Sequence, residues 1–380
     1  MSWETMKLSE CCASIADGDH LPPPKADIGI PFVTISNINA TNQFDFTNTM
    51  FVPQEYYDKL DSKRKAQFGD VLYSVVGSFG IPVYIKEEKP FVFQRHIAIL
   101  RPNEKILSRF LYYTMLSRDF YSKADAAAIG AAQRTVSLTA LRNIEIDVPT
   151  TEEQSKIVDI LSAYDDLIEN NQKQIKLLEE AAHRLYKEWF VDLCFPGYEN
   201  TPITDGVPQG WRKATLGDIA PILTGKKDAN FGTEDGAYPF FTCSQEPIKA
   251  PSYSFDTNAV ILAGNGDFNV KLYRGKFEAY QRTYVLSPND EKYLYLLYNS
   301  VHESMAVLVK GASGSTIKFL TKGMIESIPL FIPTDELLTQ YNNYSEAVQR
   351  KLECLRKAIK NATEARDRLL PKLMNGELEV

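Results

Sequence analysis

Gln94-Arg95 and Gln281-Arg282 carry the side chains best suited to reading the edge of a nucleic-acid base. In a major groove, a glutamine amide can hold N6 and N7 of adenine and a guanidinium can hold O6 and N7 of guanine, each through two hydrogen bonds. The competing reading is structural: both pairs brace the same strand in two halves of a repeated fold. The stretches GAAQRT at 130–135 (with Gln133 and Arg134) and GASGST at 311–316 (with Ser313 and Ser315, preceded by Lys310) are small and polar. Backbone and hydroxyl groups there can come close to phosphate. Lys63-Arg64-Lys65 and the trio Lys271, Arg274 and Lys276 are dense basic clusters, each expected in a divergent loop beside a predicted strand. A charge run is ordinarily solvated surface, but that placement favours contact with DNA; Lys226 and Lys227 join the same candidates. Asp17-Gly18-Asp19-His20 has the residue types of a metal site or an acid–base pair, yet no second ligand cluster completes it. It reads as an Asp/Gly turn, leaving His20 and Lys25 as phosphate contacts.

Other chemistries lack their parts. An amino-methyltransferase needs an Asn/Asp-Pro-Pro-Tyr-type loop for its base and a Gly-rich cofactor turn, and neither is present. Gly77-Ser78-Phe79-Gly80 and Gly264-Asn265-Gly266 fall in strand-turn contexts and read as tight turns. A P-loop is absent, and no acid cluster with a lysine at nuclease spacing stands out. The five cysteines (Cys11, Cys12, Cys194, Cys243, Cys354) show no CxxC spacing and read as reduced, buried thiols of a cytoplasmic protein. The segment MSWETMKLSE does not resemble a signal peptide, and no apolar run is long enough for a bilayer.

With 380 residues, 44% of them hydrophobic, the chain suits two or three well-packed domains. Net charge is −7, and it is unevenly spread: about −1 over 1–150, −7 over 151–210, +1 over 211–330 and 0 over 331–380. The acidity is central, so a local basic face on each large block is not excluded.

The elements that would position these side chains are written twice. Trp3–Leu8 (WETMKL) returns as WRKATL at 211–216, and PFVTIS at 31–36 returns as PFFTCS at 239–244, both at an offset of 208. Gln94-Arg95 maps onto Gln281-Arg282, Gly130-Ala131 and Thr135-Val136 onto Gly311-Ala312 and Thr316-Ile317 at offset 181, and Pro149 onto Pro333 at offset 184. Each copy reads as short β-rich runs, a brief helix (110–121; 291–305) and a closing strand. A long helix follows each copy. The first is capped by Thr150 with Glu153 at capping-box spacing, and the second is kinked or ended by Pro371. Ile157, Leu161, Tyr164, Ile168, Asn171, Ile175, Leu178, Ala182, Leu185 and Trp189 step by four and three. Adding 184 gives Tyr341, Ser345, Val348, Leu352, Leu355, Ile359, Ala362, Arg366, Leu369 and Leu373, a second stripe in the same register. Asn171 would set register. If each helix starts beside its own domain, the second runs back along the first. The predicted fold is therefore α+β: two tandem, pseudo-two-fold-related mixed α/β domains (1–150 and 211–333) separated by two long antiparallel coiled-coil helices (151–194 and 334–380), with a linker at 195–210.

PFVTISNI, the DGDH turn, the helix tail LYKEWFVD, VPQGWRKATLGDI and the terminal LLPKLMNGEL sit in the order domain, helix, linker, domain, helix. On these the chain resembles the specificity (S) subunit of type I restriction-modification systems over essentially its whole length. The resemblance implies two target-recognition domains, each reading half of a bipartite site in double-stranded DNA. It implies helices that dock two methylation subunits, with restriction subunits able to join that core. The S-adenosylmethionine that supplies an adenine methyl group would sit in the methylation partner, leaving this chain without catalytic centre, cofactor, metal or membrane contact. Against this stand a scaffold whose coiled coil only spaces two protein-binding domains and a stand-alone enzyme such as a nuclease.

Overall fold

The structure, a computed structural model, describes residues 3–20, 22–39, 41–131, 133–314 and 318–380. Two compact units divide it: Met1–Asn171 with Lys357–Val380, and Gln172–Arg356.

In the first unit, Glu4–Lys7 pairs antiparallel with Glu145–Val148. A four-stranded antiparallel sheet runs in the order Cys12–Asp17, Ile97–Pro102, Val71–Ser74, Pro82–Tyr84. A three-stranded sheet places Ile30–Val33 between Met50–Val52 and, in parallel, Val92–Phe93. The central strands read as continuous apolar runs because both faces are covered. Val71, Tyr73, Ala98 and Leu100 enter the core that holds Phe110, Tyr113 and Phe120 of the helices Ser108–Leu116 and Arg118–Ala127. The alternate residues Leu72, Ile97 and Ile99 enter a second core with Val83, Phe91 and Phe93.

The second unit repeats this plan. Arg212–Thr215 pairs with Pro329–Ile332, and six strands run in the order Ile222–Thr224, Thr283–Leu286, Phe255–Ala263, Val270–Ala279, Tyr238–Phe241, Ile248–Ala250. One strand, Val270–Ala279, pairs antiparallel with Phe255–Ala263 and parallel with Tyr238–Phe241. In the first unit the matching path is broken between Tyr84 and Val92, where the chain reads Ile85-Lys86-Glu87-Glu88-Lys89-Pro90-Phe91. Within that break Pro90 has no N–H to give a ladder, and the strands on either side belong to two separate sheets. The brief helix of this copy is Leu294–Gly311, which follows a three-residue 3-10 turn at Glu291–Tyr293.

The long helices are Thr151–Tyr186 and Asp335–Met374. Thr150 and Glu153 close the capping box: the Glu153 N–H donates to Thr150 Oγ1 at 3.3 Å, and the Thr150 N–H to Glu153 Oε2 at 3.1 Å. Thr334 caps the second, accepting from the Leu337 N–H at 3.4 Å. The second helix passes through Pro371 and ends three residues later at Met374; lacking an N–H, Pro371 gives the Asp367 carbonyl no ladder bond. The first continues as a single π turn, Lys187–Val191. Within each unit the helices run antiparallel. Asp165 pairs with Arg366 at 2.7 Å and Lys156 Nζ reaches the Val380 carbonyl at 3.3 Å in the first; Glu179 pairs with Arg356 at 2.7 Å and Phe190 packs on Tyr341 at 4.8 Å in the second. Of the predicted stripe, Ile157, Leu161, Ile168, Asn171, Val348, Leu352, Leu355 and Leu373 are buried, and Ile175, Leu178, Leu185, Trp189, Ile359 and Leu369 are half-buried.

Two of the five cysteines, Cys11 and Cys12, are buried, and burial pushes their thiols up to about 11 and about 12. The expectation of burial fails for Cys194 and Cys354, which are exposed on the post-helix segment and an outer helix face, and for the half-buried Cys243. Among the described residues no helix is long and apolar enough to cross a membrane.

Candidate nucleic-acid interface

At one end of the first domain, loops that leave separate strands are tied together by backbone bonds. Residues 94–97 make a β-turn, with the Ile97 N–H donating to the Gln94 carbonyl at 3.0 Å. The turn is held by Gln94 N–H to Val33 O (3.2 Å), Arg95 N–H to Asp19 O (3.0 Å), Val75 N–H to His96 O (2.9 Å) and Gly18 N–H to Ile97 O (3.1 Å). The 129–136 loop joins the same end through Gly77 N–H to Arg134 O (3.0 Å) and Val136 N–H to Val75 O (2.9 Å).

The second domain makes the same bonds. Thr283 N–H donates to Tyr280 O (2.8 Å), Tyr280 N–H to Phe241 O (2.9 Å), Gln281 N–H to Lys227 O (2.9 Å), Gly264 N–H to Arg282 O (2.9 Å), Gly225 N–H to Thr283 O (3.1 Å) and Leu320 N–H to Gly264 O (2.8 Å). A Cβ on Gly18 would lie 2.2 Å from the Phe93 carbonyl and one on Gly225 2.0 Å from that of Ala279, so this crossing requires glycine in both copies. The hydroxyl pairs Thr34–Ser36 (2.8 Å) and Thr242–Ser244 (3.0 Å) also recur beside the turns.

This bonding corrects two sequence correspondences. Gln94 matches Tyr280, Arg95 matches Gln281 and His96 matches Arg282, so the two Gln-Arg pairs are one residue out of register. Ile129 and Thr135 bridge each other as Ser313 and Phe319 do, placing this loop at the offset of Pro149 and Pro333, three residues beyond the assumed one. Gly130 (φ +96°) then matches Gly314 (φ +101°), while Gly311 still belongs to the helix. In both cases a short identity outweighed the gap that the fold requires.

The candidate side chains are not all equally free. Arg95, Gln133, Lys226, Gln281, Arg282, Lys310 and Ser313 are exposed, as are Lys25 and Lys63; Gln94 is half-buried. His20 Nε2 lies 2.6 Å from Asp17, Arg64 stands 3.6 Å from Asp17 and 4.0 Å from Asp19, and Tyr56 donates to Asp19. Lys65 donates to the Asp58 carbonyl at 3.0 Å and Arg134 pairs with Asp125 at 3.0 Å. Lys227 covers the Phe231 ring at 4.3 Å. Lys271, Arg274 and Lys276 lie on the strand Val270–Ala279 itself and not, as expected, in a loop beside it. Arg274 is held by Glu346 at 2.7 Å and donates to Tyr295 Oη at 2.5 Å, Lys276 covers Tyr253 at 4.9 Å, and Lys271 donates to Ser244 O at 2.8 Å. Burial lowers the pKa of Lys271, against the raising pull of Glu246 and Asp267. Burial first and then the Arg95 charge lower that of His96, favouring its neutral form. Ser315 lies outside the described residues. Sequence reasoning missed the hydroxyl pairs, although PFVTIS and PFFTCS displayed them, and the exposed Tyr121 stacked on Phe79 at 5.5 Å. Among the described residues no group of three or more His, Cys, Asp or Glu side chains is placed to hold a metal ion.

Residues 1–180 and 208–345 match the family described as the type I restriction modification DNA specificity domain. The chain is similar to the EcoDI specificity subunit of Escherichia coli, 38% identical over 183 residues that cover 45% of this chain but 39% of that one. It is similar over its full length to the putative MjaX specificity subunit of Methanocaldococcus jannaschii, 25% identical and covering 94% of that protein. In fold it is similar to the S subunit of the type I restriction-modification system from M. genitalium, with a TM-score of 0.62 at 16% identity over 98% of this chain and 96% of that one.

Proposed function

This chain belongs to the type I restriction modification DNA specificity family, and on that premise we propose that its two domains each read one half of a bipartite site in double-stranded DNA. The observation that carries the reading is the end built twice: the same backbone bonds hold each turn, while the side chains on it differ, exposed Arg95 and half-buried His96 against exposed Gln281 and Arg282. A fixed platform with changeable side chains is what two readers of unlike half-sites need. Phosphate contacts from exposed Lys25, Lys63, Lys226 and Lys310 would position each domain without selecting sequence. The long helices would dock two methylation subunits, which carry S-adenosylmethionine and methylate adenine, and a restriction subunit would join that core. The chain itself would contribute recognition and no chemistry.

The test is methylome sequencing of cells that express this chain with its methylation subunits. The expected motif is bipartite, two short specified blocks around unread bases; one continuous motif would overturn the two-reader reading. A scaffold would leave DNA binding by the complex unchanged on removing this chain. A reader predicts steep weakening with salt as bound phosphates release counterions.

A further inference from the structure

The one-residue register correction turns a repeated dipeptide into a difference. Arg95 and Gln281 occupy the same place, the second residue of a four-residue turn, and both side chains are exposed. The same backbone bonds hold the turn in both copies, and in the second Cys243 Sγ adds a bond to the Arg282 carbonyl at 3.7 Å. Gln94 and Tyr280, one residue before, are half-buried. The neighbouring cations Arg64 and Arg134 are each paired with an aspartate, whereas Arg95 makes no side-chain hydrogen bond or ion pair among the described residues. Gln281 is oriented: its Nε2 donates to Asp228 Oδ1 at 2.8 Å. That bond uses one of two amide hydrogens and leaves the other, with Oε1, for a donor–acceptor pair.

We propose that Arg95 and Gln281 are the specificity-determining residues of the two ends, Arg95 selecting guanine in the first domain's half-site and Gln281 selecting adenine in the second's. The guanidinium offers two parallel donors, the complement of guanine O6 and N7; the oriented amide offers one acceptor and one donor, the complement of adenine N6 and N7. This inference rests on the two-reader reading above.

The experiment uses the full chain assembled with its methylation subunits and a randomised duplex library, with the methylated motif read in parallel. Arg95→Gln is expected to change one position in one half-site from guanine towards adenine, with preference for the original base falling about 10- to 100-fold. Gln281→Arg is expected to do the reverse in the other half-site only. Arg95→Lys keeps the charge and loses the paired donors, so it should relax the same position while leaving the salt dependence unchanged. If Arg95→Gln abolishes binding, Arg95→Lys decides: relaxed selection supports the proposal and unchanged selection overturns it. Equal weakening for every sequence, with the salt slope reduced by about one, would mark a phosphate contact and also overturn it. Exchange of residues 1–150 for another member's first domain separates the two levels. If that exchange moves one half-site while Arg95→Gln moves none, the proposal falls and the two readers stand; if it moves neither, both fall.

Discussion

Glu346 shows how a side chain with no local sequence signal can fix an element. Its carboxylate accepts from Arg274 at 2.7 Å and from Tyr295 Oη at 2.6 Å, and Arg350 adds a bond at 2.8 Å from the next helical turn. Arg274 first, then Tyr295 and Arg350, hold its pKa down from 4.5 to about 2 through these hydrogen bonds. A carboxylate whose folded-state pKa is depressed stabilises the fold fully above its unfolded value and loses that contribution as pH falls through the folded one. Glu346→Gln should therefore cost about 1 kcal/mol at pH 7, discounted for the exposed part of the site, with the difference from the parent shrinking between pH 4.5 and about 2. Urea denaturation of both proteins across that range measures it; a pH-independent difference would mean that packing, not charge, is at stake. The same contact explains why Arg274 looked like a DNA contact in the sequence. Its partner lies 72 positions away, and a basic side chain on an apolar strand carries no mark of what will face it.

Elements were more legible than partners, for reasons their residues make plain. A heptad stripe depends only on spacing, and the spacing survives because each position repeatedly faces the other helix. Every stripe residue is buried or half-buried, whereas Leu177, off the stripe, is 64% exposed. The repeat was legible where strands cross, as at Phe32-Val33 and Phe240-Phe241, since loops can lengthen there and the crossing cannot move. It slipped at Gln94-Arg95 because two matching letters outweighed a ladder that sequence does not display. Gln154 was invisible too: three residues before Ile157 it keeps the stripe's spacing but is polar, and it is buried, its amide bonding the Leu107 N–H at 2.8 Å and the Lys105 and Pro149 carbonyls at 3.0 Å. The stripe makes a contrast that can be measured within one unit. Leu352→Arg puts a charge at a position 5% exposed and should cost several kcal/mol, with loss of methylation by the complex. Leu177→Arg should stay within about 0.5 kcal/mol. Equal thermal midpoints for the two variants would remove the helix pairing from the energetics.

At the scale of the whole molecule, the chain passes between its compact units twice, at 171/172 and 356/357, and both crossings fall inside a long helix. No loop intervenes at either crossing, so a change in helix length cannot be absorbed by a flexible connection there. The segment 151–210, which carries a net charge of −7, is also ill suited to lie along phosphate. If the two domains read two half-sites, the helices should set how many bases lie unread between them. Seven residues inserted at each crossing preserve the heptad seam and lengthen each helix by roughly 10 Å, about three base-pair steps. A four-residue insertion in one helix alone would break the register of the pair and serves as the disruptive control. The doubly inserted complex is expected to methylate a motif with both half-sites unchanged and about three more unread base pairs between them. An active double-insertion complex with its original spacer would instead place control of the spacing in DNA bending or in the methylation subunits.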